Sequence, residues 1–144
     1  MMVRAGWLVS VALALVGCAV ELPAPEPVEF FFPQHGSPLG TGDAALLEGE
    51  AVFDDGCLWI QTSDGARFLP LWPADVQLGM INSQPAVMAP NGALLVESGD
   101  AIRDVSQLGG SEASAEVARE LVGDIPERCA TDGFWVVGDV LGRP

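Results

Sequence analysis

The sequence predicts a mainly β protein, a small antiparallel barrel or rolled sheet with one late helix, set behind a disordered tether. Three observations carry that expectation. From about Ala45 onward, apolar residues recur at every second position in short runs, the period of a strand with one buried face. Those runs are separated by Asp-Gly, Asn-Gly and Ser-Gly pairs, which suit tight hairpin turns. Only between Glu112 and Val122 does the apolar spacing lengthen to that of a helix.

The chain opens with one positive charge in Met1 to Arg4 and a short apolar stretch, Ala5 to Val16. A membrane-spanning helix needs about 20 apolar residues. This stretch is shorter and gives way at once to a Pro-rich polar segment, so it reads as an export signal. It ends on Leu15-Val16-Gly17-Cys18, which resembles the lipobox of bacterial lipoproteins. The resemblance covers the first 18 residues. It implies that residues 1–17 are a signal peptide removed before Cys18, where small Gly17 gives the peptidase access. It also implies a diacylglyceryl group on the Cys18 thiol and an acylated new amino terminus. Each buried CH₂ adds roughly 0.8 kcal/mol of membrane affinity, so two or three chains anchor firmly. The implied location is the cell envelope, lipid-anchored on the extracytoplasmic side of a bacterial membrane. Ala19, rather than Asp, after the cysteine favours the outer membrane where the source has one.

Residues 18–44 read as the tether. Pro23, Pro25 and Pro27 alternate with Ala24 and Glu26, a pattern for extended polyproline-type backbone. Pro33, Pro38, Gly36, Gly40 and Gly42 follow. Phe30-Phe31-Phe32 interrupts this spacer and is expected to fold back as a hydrophobic hook on the domain. The other reading is a second contact with the membrane or a partner.

The folded domain, residues 45–144, is expected to begin with a half-buried strand. Leu47, Gly49, Ala51 and Phe53 alternate there with Glu48 and Glu50. Asp54-Asp55-Gly56 turns the chain. Cys57 to Thr62 is apolar on both faces, as in a central strand. Asp64-Gly65 is a hairpin signal, and Arg67 to Leu71 returns. Pro70 lacks a backbone donor, which predicts an edge position or a strand end, with Trp72-Pro73 closing the segment. Val76, Leu78 and Met80 form another alternating run. Pro85 and Pro90 bracket the apolar piece Ala86 to Ala89. Asn91-Gly92 turns toward Leu94 to Glu97, and Ser98-Gly99-Asp100 toward Ala101 to Val105.

Gly109-Gly110 breaks the alternation. Ala113, Val117, Ala118 and Leu121 then fall on one helical face, with Ser111 as the expected N-cap and Gly123 and Pro126 as stop signals. Phe134 to Leu141 is the last strand, with Gly138-Asp139 marking a bulge or an early end. The pattern resembles small OB-like barrels of bacterial lipoproteins. The residues that carry this are Asp55-Gly56-Cys57-Leu58, Leu71-Trp72-Pro73 and the run from Gly109-Gly110 to Cys129. The likeness covers about residues 45 to 140. It departs from an ordinary OB-fold, whose helix lies between the third and fourth strands.

With Cys18 lipidated, Cys57 and Cys129 remain, and an exported compartment is oxidising, so one disulfide is expected between them. Arg4 leaves with the signal. The mature chain then has five Arg, no Lys and twenty acids, about −15 before the termini are counted. Such a chain repels phosphate, which argues against nucleic acid and against a polybasic membrane contact. It attracts cations or a basic protein.

Without lysine, Schiff-base, Ser–Lys and P-loop chemistry have no nucleophile or phosphate ligand. His35 is the sole histidine and falls in the tether, where it reads as a solvated loop residue. No metal site and no cofactor are expected, since histidines and cysteines do not cluster. Asp54-Asp55 and the Asp100 to Asp104 segment lack EF-hand spacing and read as turns. Trp59, Phe68, Phe134 and Trp135 read as core. Trp72, beside a proline at a strand end, is the candidate for an exposed binding surface.

The expectation is therefore a membrane-anchored envelope lipoprotein with a structural or binding role and no catalysis. One alternative is an acidic inhibitor or ligand-binding barrel that captures a basic envelope protein or a small ligand. Another is a small carboxylate-dependent hydrolase.

Overall fold

In the computed structural model, residues 29–38, 40, 45–97, 101–102, 107–131 and 133–141 are described. Cys18 and its lipobox, tether residues 18–28, 39 and 41–44, the turn at Ser98-Gly99-Asp100 and residues 103–106 lie outside them.

The fold is mainly β, with one helix late in the chain and a rolled sheet beside a second, smaller sheet. The strands are β1 (Gln34–His35), β2 (Ala45–Leu47), β3 (Gly49–Asp54), β4 (Cys57–Gln61), β5 (Arg67–Pro73) and β6 (Gln77–Ile81). They continue with β7 (Gln84–Met88), β8 (Leu94–Glu97), β9 (Ala101–Ile102), β10 (Gln107–Ala113) and β11 (Gly133–Leu141), and the helix is α1 (Ala115–Val122).

The expected first strand is present but bent at Glu48. Its first half, β2, pairs with β10, and its second half, β3, pairs with β4. The large sheet runs β2-β10-β11-β5-β4-β3-β9, so its path returns to the segment on which it started. Counting 45–54 as one bent strand, the neighbours run first, second, third, fifth, fourth, first, which is an OB-like order. The bend brings backbones close. A Cβ on Gly49 would meet the Gln61 carbonyl oxygen at 2.5 Å and Ile60 Cγ2 at 2.8 Å.

Most pairings are antiparallel, as hairpins require. Two are parallel: β5 with β11, in register Gly133↔Phe68 to Val136↔Leu71, and β5 with β1. Pro70 lies inside β5 and is fully buried, rather than at an edge. It is tolerated because β4 pairs only with Arg67 and Phe68, and that ladder has lapsed before Pro70.

Alternation along the central strands divides two apolar clusters. In β4, Leu58 and Ile60 face the interior of the roll, while Cys57 and Trp59 face the other way. In β11, Trp135 and Val137 face the interior and Phe134 the second cluster. The expected bulge falls at Gly138: Asp139 opposes Gly109 and Val137 opposes Gly110. The extra residue resets the period, so Val140 joins Val137 in the interior.

The three strands β6-β7-β8 stand between the third and fourth barrel strands, where an ordinary OB-fold has its helix. Their Val87, Leu95 and Val96 pack into the interior cluster with Trp72 and Val76. The piece between Pro85 and Pro90 is thus the middle strand of this sheet. The turn before it, Asn82-Ser83, has φ of 50° and 64°, as a two-residue hairpin with matching twist demands.

Helix α1 begins later than its sequence signals. Glu112 and Ala113 still belong to β10, opposite Trp135 and Phe134. The N-cap is Ser114, whose Oγ accepts from the Val117 N–H, and not Ser111. Gly123, φ 80°, ends the helix as expected. Ala118 is buried, with Ala115 and Val122 half-buried against the second cluster, whereas Val117 and Leu121 are exposed. The expected face is therefore rotated: the three-residue delay of the start moves the buried stripe to positions i, i+3 and i+7. Cys129 sits in a 3₁₀ turn (Glu127–Cys129) and is bonded to Cys57, with Cα atoms 5.6 Å apart.

Candidate functional site

The triple phenylalanine folds back, and the three rings go to three places. Phe32 stacks on Trp72, centroids 5.8 Å apart and planes 14° off parallel. Phe31 packs on the second cluster, and Phe30 meets Phe53 edge-on at 6.4 Å. The backbone follows: the Phe31 N–H donates to Gly56 O (2.8 Å) and the Trp72 N–H to Pro33 O (2.8 Å). Arg128 fastens the strap, donating from Nε to Asp55 O (3.1 Å) and from Nη2 to Glu29 O (3.0 Å).

This strap corrects three expectations. Gln34 and His35, assigned to the tether, form β1 and pair with β5. Trp72, the candidate exposed binding residue, is fully buried beneath Phe32 and presents no surface. His35, expected in a solvated loop, is also buried. Its Nδ1 accepts from the Ser37 N–H (3.2 Å), so Nε2 carries the proton given to Val137 O (2.7 Å). Both ring nitrogens are thus occupied by backbone.

The strap also builds a cleft. Two hairpin tips, Asp54-Asp55-Gly56 between β3 and β4 and Ser83-Gln84 at the start of β7, face Phe30 and Phe53 across about 310 Å³. Asp55 has φ 46°, and with Asn82 and Ser83 it makes three non-glycine residues at positive φ among the described residues, all at these two tips. Phe30 is 37% exposed, which is high for a phenylalanine held on both sides. Asp54 and Asp55 are exposed at the rim, and neither carboxylate has a hydrogen-bond or ion-pair partner among the described residues. The arrangement offers aromatic faces within and negative charge at the mouth.

A second, larger cleft of about 530 Å³ runs past Arg67, Phe68, Glu112 and Thr131. Its one cation is already engaged. The Arg67 guanidinium lies 5.3 Å over the Trp59 ring, and its Nε donates to Gln61 Oε1 (3.4 Å). The smaller cleft is therefore the better candidate, because its charged groups are free.

Trp59 and Trp135 are core, as expected, and Phe134 with them, while Phe68 is half-buried against the interior. The indole N–H groups of Trp59 and Trp135 are buried without a partner among the described residues, and nothing in the structure explains them. Among the described residues, no three His, Cys, Asp or Glu side chains converge as metal ligands, and no helix is long and apolar enough to cross a membrane.

The pairing of Phe30 with Phe53 and the tip at Asn82-Ser83 are not among the sequence-based expectations. The second carried a signal: Asn-Ser between two alternating runs suits a turn with both φ positive. The first carried none, because the partners are 23 residues apart and meet only once the strap is laid down. No protein-family model matches the chain, and no curated protein or solved structure shows significant similarity to it.

Proposed function

We propose that this chain is a lipid-anchored envelope protein whose β-domain acts as a binding module. The lipid sits on Cys18, and the domain stands on the extracytoplasmic side of a bacterial membrane. The observation that carries the reading is the strap. Downstream of the lipobox, the chain from Glu29 to Phe32 is built into the domain through Phe30, Phe31, Phe32 and Arg128, and Phe30 lines the acid-rimmed cleft. The anchor and the binding surface are then one unit, with the cleft beside the point where the tether departs. Hydrolysis through a histidine or cysteine is disfavoured, because His35 has both nitrogens committed and Cys57 is tied to Cys129.

In-cell crosslinking followed by mass spectrometry tests this, comparing the natural chain with a Cys18→Ser variant. Reproducible links to one envelope protein, lost when Cys18 is replaced, are expected. Links that are scattered, or unchanged in the variant, contradict it.

A further inference from the structure

We infer that the cleft between the two hairpin tips takes an arginine side chain from the surface of a basic protein. This rests on the binding-module reading and names the occupant of that site. Size comes first. About 310 Å³ lies at the small end of ligand pockets, too little for a folded segment and suited to one long side chain.

Chemistry comes second. Phe30 and Phe53, edge to face at 6.4 Å, offer apolar surface for a methylene stem and ring faces that attract a cation. At the mouth, Asp54 and Asp55 hold two exposed carboxylates without partners among the described residues. A planar guanidinium matches carboxylates in pairs better than an ammonium does. The neighbouring cation, Arg128, donates to the carbonyls of Asp55 and Glu29 rather than to either carboxylate.

Charge comes third. With five Arg, no Lys and twenty acids after the signal, the chain repels anions and steers cations toward itself at low ionic strength. A basic protein is the partner that this surface and this cleft both fit.

The test is an amide NMR titration of the full chain in a neutral detergent. The probes are Nα-acetyl-arginine amide and its citrulline counterpart, which has the same shape and no charge. The arginine probe is expected to move the signals of Phe30, Asp54, Asp55, Gly56, Ser83 and Gln84 saturably, and the citrulline probe to bind at least about fivefold more weakly. Asp54→Asn with Asp55→Asn should weaken the arginine probe by about fivefold. Asparagine tolerates the positive φ at position 55, so the tip keeps its shape. Glu116→Gln with Glu120→Gln removes the same charge from exposed positions of α1 and should leave binding within about twofold. Equal binding of the two probes, or equal weakening by the two pairs of substitutions, overturns the proposal. The crosslinking result is read separately. A single partner caught there alongside a failed titration leaves the module reading standing and removes only its occupant.

Discussion

His35 shows what one buried polar side chain does for the strap. Its ring bridges Ser37 on one side and Val137, in the last strand, on the other, across a separation of 102 residues. His35→Ala leaves the Val137 carbonyl without this partner and should lower stability by about 2 kcal/mol in denaturant titration. The ring itself should show a protonated Nε2 and an acceptor Nδ1 in ¹⁵N spectra. Asp64 is a carboxylate whose ionisation the fold shapes. The Thr62 hydroxyl, and then the Ala66 N–H, donate to its carboxylate and hold it below the ordinary aspartate range. A group lowered in the folded state stabilises above its unfolded pKa, and that contribution disappears as pH falls through the folded one. Thr62→Val should therefore raise the Asp64 titration midpoint, read from its carboxyl carbon shift. The stability of this variant should also fall less than that of the natural chain as pH drops below the ordinary aspartate pKa of about 4.

At the scale of elements, local signals succeeded where one residue decides the geometry. Asp-Gly and Asn-Gly turns, the cap at Gly123 and the bulge at Gly138 were all legible, because each is fixed by its own backbone. They failed where a tertiary partner decides. Ser111 and Glu112 read as a helix start, but pairing with β11 holds them in a strand to Ala113. Pro70 read as an edge or a strand end, but β5 runs on to Pro73 and is released from β4 before reaching Pro70. The candidate cleft was hidden for the same reason. Asp54-Asp55 read as a turn, and Phe30 gave no hint that it would meet it.

Two glycines show the close approaches that the roll demands. A Cβ on Gly49 strikes the Gln61 carbonyl, and one on Gly110 strikes the Val136 carbonyl, backbone atoms with little room to give. Gly49→Ala and Gly110→Ala should each cost about 1–3 kcal/mol in denaturant titrations. Gly36→Ala, whose Cβ meets nothing within 4 Å, should stay within about 0.5 kcal/mol.

For the whole molecule, the disulfide and the strap work on the same region. Cys57 opens β4 beside the Asp55-Gly56 tip, and Cys129 lies next to Arg128, which holds Glu29. The bridge joins positions 72 apart in sequence. Its loop-closure contribution is about 4 kcal/mol, of which native-state adjustment takes some share. Cys57→Ala with Cys129→Ala should therefore lower stability by about 2–4 kcal/mol and loosen the strap first, seen as faster amide exchange at Phe31 than at Ile60.

We propose that the domain hangs from a lipid on Cys18. The intact mass of the chain recovered from membranes, with and without reductant, tests it most directly. The expected species begins at Cys18, carries diacylglyceryl and acyl mass there, and gains two hydrogens on reduction of the Cys57–Cys129 bridge. A chain whose Cys18 is unmodified, or which keeps residues 1–17, contradicts it.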